Sequence, residues 1–118
     1  MAEPQNQQEM EKMIRDYQGV QEQLKLYSMQ LEQLKAQKAE LARASEEVNS
    51  SKGKVYISVG GVIVETTKDK AVSDIKDRSE LSDTRIQSVT RQYNDVKSKE
   101  KSLSEKITEM YKSAQGAQ

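Results

Sequence analysis

The sequence contains no Cys, His, Trp or Phe, and each absence removes a class of function. Without Cys or His there is no zinc finger, no Cys/His nucleophile pair and no imidazole base, so the commonest sites for metal and covalent chemistry are missing. Any remaining chemistry would have to come from carboxylates, Lys, Ser or Tyr. No disulfide can form, which fits a reducing compartment without requiring one. Hydrophobic residues make up only 34% of the 118 residues, and with the 5 Gly the apolar share is roughly 38%, below the roughly 45–50% usual in globular domains. A compact core packed around aromatics is therefore not expected.

An excess of one charge is also lacking. The 19 Lys and Arg balance the 19 Asp and Glu, for a net charge of +0. Residues 1–49 carry 6 basic and 9 acidic groups, residues 50–68 carry 3 and 1, and residues 69–118 carry 10 and 9. No segment has the basic excess that phosphate neutralisation needs, so no nucleic-acid partner is expected. Signs intermingled at this density belong to solvated helix faces. No apolar run approaches the roughly 18 residues of a membrane span, and the start Met1-Ala2-Glu3-Pro4-Gln5 has neither the basic opening nor the apolar stretch of a signal peptide. The expectation is a cytoplasmic protein without a membrane partner.

What the sequence does contain is a heptad seam. Positions 10, 13, 17, 20, 24, 27, 31, 34, 38, 41, 45 and 48 alternate steps of three and four, and all but Lys38 and Ser45 are apolar. This predicts one long helix over residues about 8–49, with Gly19 its interior weak point. The pattern returns at Val72, Ile75, Ile86, Val89, Tyr93, Val96, Leu103, Ile107, Met110 and Ala114, interrupted by Ser79, Ser82 and Glu100, while Leu81 lies off the stripe. A second helix over about 69–114 follows, starting after Thr66-Thr67 with Asp69 in its first turn, where a negative charge favours the amino end. Tyr17, Tyr27 and Tyr93 take seam positions and read as core.

Between the arms, Asn49-Ser50-Ser51-Lys52-Gly53 reads as a helix stop and loop. The β-branched runs on either side of Gly60-Gly61 then predict a hairpin over about 54–67. Counting from the turn, Val59 opposes Val62, Ile57 opposes Val64 and Val55 opposes Thr66, which gives one largely aliphatic face. Tyr56, Ser58, Ile63 and Glu65 occupy the other. Two arms of similar length on either side of a hairpin imply an antiparallel coiled coil, with Lys38 beside Ser82 and Leu41 beside Ser79. Such a polar layer either fixes register or marks a point where the arms splay. A lone hairpin is marginal in water and no other segment reads as a strand, so the hairpin needs strands from other chains. An oligomer with a shared sheet or barrel as its hub is expected.

Two coiled-coil arms joined by one hairpin, with Lys54-Val55-Tyr56, Val59-Gly60, Val62-Ile63-Val64 and Thr66-Thr67-Lys68-Asp69 in order, resemble the β class of prefoldin subunits. The early Pro4-Gln5-Asn6-Gln7-Gln8 is similar to archaeal members. One departure is Lys70, where members often carry an acidic residue able to complete a capping box with Thr67. The resemblance implies a mainly α fold in a single domain over residues 1–118. It further implies an α2β4 heterohexamer with α-class subunits, whose hairpins join into an intersubunit β-barrel. It also implies an ATP-independent chaperone that holds unfolded polypeptide clients at its coiled-coil tips and delivers them to a group II chaperonin. No enzymatic activity and no cofactor are implied, and the residues agree, because Gly60-Gly61 lacks the Lys and Ser/Thr of a phosphate-binding loop.

Antiparallel arms bring the first turns of one and the last turns of the other to the same end. There lie Met10, Met13, Ile14, Tyr17, Ile107, Met110 and Tyr111, the expected client-binding residues. Methionine is flexible and polarisable and suits a surface that meets many sequences. The same Met10, Met13, Ile107 and Met110 also suffice simply to fill the seam, whereas Ile14 and Tyr111 stand one step off it. Val55, Ile57, Val59, Gly60, Gly61, Val62, Ile63 and Val64 are the expected oligomerisation hairpin. The adjacent carboxylates Glu46 and Glu47, and likewise Asp74 and Asp77, read as solvated helix surface. The rival readings are a coiled-coil adaptor or scaffold that binds one defined helix, and a filament-forming prefoldin relative.

Overall fold

A computed structural model of the chain describes the backbone of residues 3–116 and the side chains of residues 7–115. Met1 and Ala2, which open the leader reading, and the side chains of Pro4, Gln5 and Asn6 lie outside the described residues. The element order is α1 (Glu3–Ser50), β1 (Val55–Val59), β2 (Val62–Thr66) and α2 (Lys68–Gly116). The fold is mainly α, two long helices in antiparallel coiled-coil pairing with a single hairpin between them. α1 begins at Glu3 rather than near residue 8. Pro4 falls in the first helical turn, where the missing N–H has no intrahelical partner to lose. Gly19 does not interrupt α1, because a glycine costs only about 1 kcal/mol relative to Ala in a helix this long.

The chain divides into two compact units. Unit one combines α1 up to Gln30 with α2 from Val89 onwards, and unit two spans Leu31–Ser88 with the hairpin.

In unit one, Leu24 and Val96 are the buried core, and the seam residues Met10, Met13, Tyr17, Val20, Tyr27, Tyr93, Leu103, Ile107 and Met110 are half-buried. Ala114, expected on the seam, is exposed. Glu100, the polar seam residue, bonds Lys97 one turn back at 3.0 Å. That hydrogen bond, and then the charge of the same carboxylate, hold the Lys97 ammonium above the ordinary lysine range.

In unit two, Leu31, Leu34, Leu41, Ser45, Val48, Val72, Ile75 and Ser79 are half-buried along the seam, while Ala71 and Ser82 are buried. Lys38 occupies its expected seam position but is exposed, and its ammonium donates to the Asp83 carboxylate, the neighbour of the expected Ser82. A long side chain lays its stem along the seam and carries its charge to the edge.

The junctions of unit two are capped from side chains. Lys70 N–H donates to Thr67 Oγ1 at 3.2 Å and Ala71 N–H to the Thr67 carbonyl at 3.0 Å, which makes Thr67 the N-cap of α2. At the end of α1, Ser51 N–H tightens onto the Val48 carbonyl, and Ser50 Oγ donates to the Glu46 carbonyl. Lys68 Nζ donates to the Asn49 carbonyl at 2.6 Å and lies 3.5 Å from the Ser51 carbonyl. One ammonium thus satisfies orphan carbonyls at the negative end of α1 from the first turn of α2.

Candidate functional site

The hairpin takes the register the alternation predicts: Val55 with Thr66, Tyr56 with Glu65, Ile57 with Val64, Ser58 with Ile63 and Val59 with Val62. Gly60 at φ 55° and Gly61 at φ 83° both occupy left-handed backbone. A two-residue I′ turn needs φ above zero at both central positions, and its twist matches that of the strands it joins. A Cβ at either glycine would meet no neighbour within 4 Å, so the demand is conformational rather than steric.

The hairpin is a two-stranded sheet, and among the described residues no third strand pairs with it. On its aliphatic face Val55, Ile57 and Thr66 are half-buried, whereas Val59, Val62 and Val64 are exposed. The other face is apolar too, with Tyr56 exposed and Ile63 exposed at 73%. The ion pair there, Lys54 to Glu65 at 4.0 Å, is solvated on both sides. Exposure therefore grows from the strand ends near the helices towards the turn, and both faces present unpartnered apolar surface. The oligomerisation set read from the sequence lies together here. The expected set leaves out Tyr56, although it is exposed on the same face as Ile63.

The second set occupies the terminal turns of unit one. Met10, Met13, Tyr17, Ile107 and Met110 are half-buried on the seam. Ile14, 40% exposed, and Tyr111, 57% exposed, stand outside it. The single step by which these two miss the heptad is what leaves them in water. Val20 and Leu103 line one groove of this unit, and continuing that register brings Met13 to the height of Met110 and Tyr17 to the height of Ile107. Two exposed apolar residues of this unit were not anticipated, Leu26 and Met29. They stand two and five positions past the seam residue Leu24, on the outer faces of α1, where only a search for apolar residues off the heptad would find them.

The prefoldin subunit family matches residues 11–114. The β subunit of prefoldin from Thermococcus kodakarensis is 32% identical over 111 residues, covering 92% of this chain and 89% of that one. The chain belongs to the prefoldin family, in its β class. The prefoldin β subunit of Methanosarcina mazei is 35% identical over 101 residues, covering 84% of this chain and 86% of the relative. Among solved structures, the prefoldin β subunit from Thermococcus strain KS-1 superposes with a TM-score of 0.78 at 31% identity, over 86% of this chain and 90% of that one. The prefoldin β2 subunit from the same strain gives a TM-score of 0.69 at 19% identity, a likeness of fold alone. The prefoldin match includes the hairpin, the seam and nearly all of the Met-rich turns.

Proposed function

We propose that the chain is a β-class subunit of an ATP-independent chaperone that holds non-native polypeptides for a group II chaperonin. The whole chain, residues 1–118, acts as one prefoldin-type module in the cytoplasm. Its hairpin joins those of α-class and sister β-class subunits in a shared β-barrel of an α2β4 heterohexamer. The carrying observation is the hairpin, an apolar two-stranded sheet with unpartnered edges. Fully burying a Val- or Ile-sized side chain is worth about 1.5–3 kcal/mol. The exposed Val59, Val62, Ile63 and Val64 of each subunit thus supply a strong drive to associate, while edge pairing supplies the geometry.

Clients are held at the terminal turns of unit one by Met10, Met13, Ile14, Tyr17, Ile107, Met110 and Tyr111. Terminal turns are the least stable part of a coiled coil, so fraying exposes the half-buried methionines beside the already exposed Ile14 and Tyr111. Each contact is weak. Several subunits engaging one chain at once supply affinity through effective concentration. Release then needs no nucleotide, because no single contact is strong.

The test is suppression of aggregation of a chemically unfolded protein by the assembled complex. Replacing Met10, Met13, Ile14, Met110 and Tyr111 with Ser is expected to leave the assembled mass unchanged and to abolish most suppression. Full suppression by that variant would refute the assignment.

A further inference from the structure

Two open grooves of unit one, one on each flank of its seam, differ in their charges. The first has a volume of roughly 680 Å³ and is lined by Lys97 and Lys101 with Glu100 and Glu105, two cations against two carboxylates. Lys97 there is already engaged by Glu100 at 3.0 Å.

The second has a volume of roughly 600 Å³ and is floored by the half-buried Val20 and Leu103. Its rim carries Arg15, Lys99 and Lys106 against the single carboxylate of Asp16. Among the described residues none of these four charges makes an ion pair. In a chain whose net charge is +0, this is an uncompensated local excess of cations. Gly19 lies in the same lining, and a Cβ there would meet nothing within 4 Å. The glycine lowers the helix surface beside the apolar floor. Leu26, two turns along the same flank of α1, is 60% exposed.

We infer that this groove docks an acidic amphipathic peptide segment. Its carboxylates meet Arg15, Lys99 and Lys106, and an apolar side chain seats over Gly19 between Val20 and Leu103. Charge complementarity selects the occupant: three unpaired cations around an apolar floor favour carboxylates flanking an aliphatic side chain and disfavour a basic segment. A groove of this volume accepts a few side chains, not a folded surface. The inference rests on the charges and shape of unit one and holds whether or not the assembly acts as a chaperone.

The experiment measures anisotropy of a fluorescein-labelled peptide repeating Glu-Glu-Leu, titrated with the full chain at low salt. Saturable binding is expected, with affinity about tenfold weaker for the Lys99→Glu, Lys106→Glu double variant, because two rim contacts become repulsions. Binding should also fade as salt shortens the screening length from about 10 Å at 0.1 M to about 3 Å at 1 M. Gly19→Leu, which fills the groove, should weaken binding several-fold, and Lys101→Glu on the opposite flank should leave it nearly unchanged. Circular dichroism confirms that each variant keeps its helices. No binding at low salt would overturn the inference. Equal loss from Lys101→Glu, equal binding of a Lys-Lys-Leu peptide, or unchanged binding by Gly19→Leu would overturn it as well.

Discussion

The two units of the chain are built on the same seam and end differently. In unit two, the departures from apolar heptad filling are accommodated: Ser82 is buried, Lys38 reaches Asp83, and both helix junctions are capped by Thr67 and Lys68. In unit one, the seam runs out into half-buried methionines with Ile14 and Tyr111 exposed beside them, and α2 ends with no basic residue in its last turn to complement its dipole. The contrast separates a part whose polar seam positions and helix junctions are tied down by named side-chain contacts from a part whose terminal turns, among the described residues, carry none between the helices.

The contrast breaks most sharply at Leu24. This is one of the few buried side chains, and Leu24→Ala should cost about 2–3 kcal/mol through lost burial and a residual cavity. Hydrogen exchange should report the loss in unit one, with the amides of unit two near Lys38 and Ser82 unaffected. Uniform loss along both helices would mean that the units unfold as one body. Next in size is Thr67→Ala, which removes the N-cap of α2 and should cost about 1 kcal/mol by thermal melting.

Gly19→Ala acts in the opposite direction. With space for the Cβ and a helical backbone, it should stabilise unit one by about 0.5–1 kcal/mol. A lower melting temperature would show that the helix is packed more closely at Gly19 than its open surroundings indicate. The smallest effect is expected for Asp83→Asn. Lys38 and Asp83 are each 46% exposed, so their pair is screened by solvent and worth at most about 0.5 kcal/mol. A double-mutant cycle with Lys38→Met that gives a larger coupling would make the polar layer a true register lock and sharpen the distinction of unit two.

Much of this was legible in the sequence because the governing periods are strict. A heptad carries its own register, so every interior seam position except Lys38 is half-buried or buried as expected. The Gly60-Gly61 turn likewise fixes all five strand pairs once a two-residue loop is assumed. Local chemistry outside those periods was not legible. Lys38 was placed beside Ser82, but the length of its side chain lets it choose Asp83. The Lys68 contact with Asn49 joins residues whose approach depends on how the loop folds back, and no short-range pattern announces it. Alternation described the second hairpin face as mixed, because pattern counting weighs Ser58 and Glu65 equally with the far larger surfaces of Tyr56 and Ile63.

The central claim is that the hairpin's exposed apolar surface is completed by other chains. It is tested most directly by the mass of the particle formed at micromolar concentration, with and without an α-class partner, for the native chain and for a Val59→Asp, Val62→Asp variant. The native chain is expected to associate, and with the partner to reach a closed complex of two α-class and four β-class subunits. The variant is expected to remain monomeric with its helical circular dichroism intact. A monomeric native chain in the presence of the partner, or a variant that assembles equally well, would contradict the account.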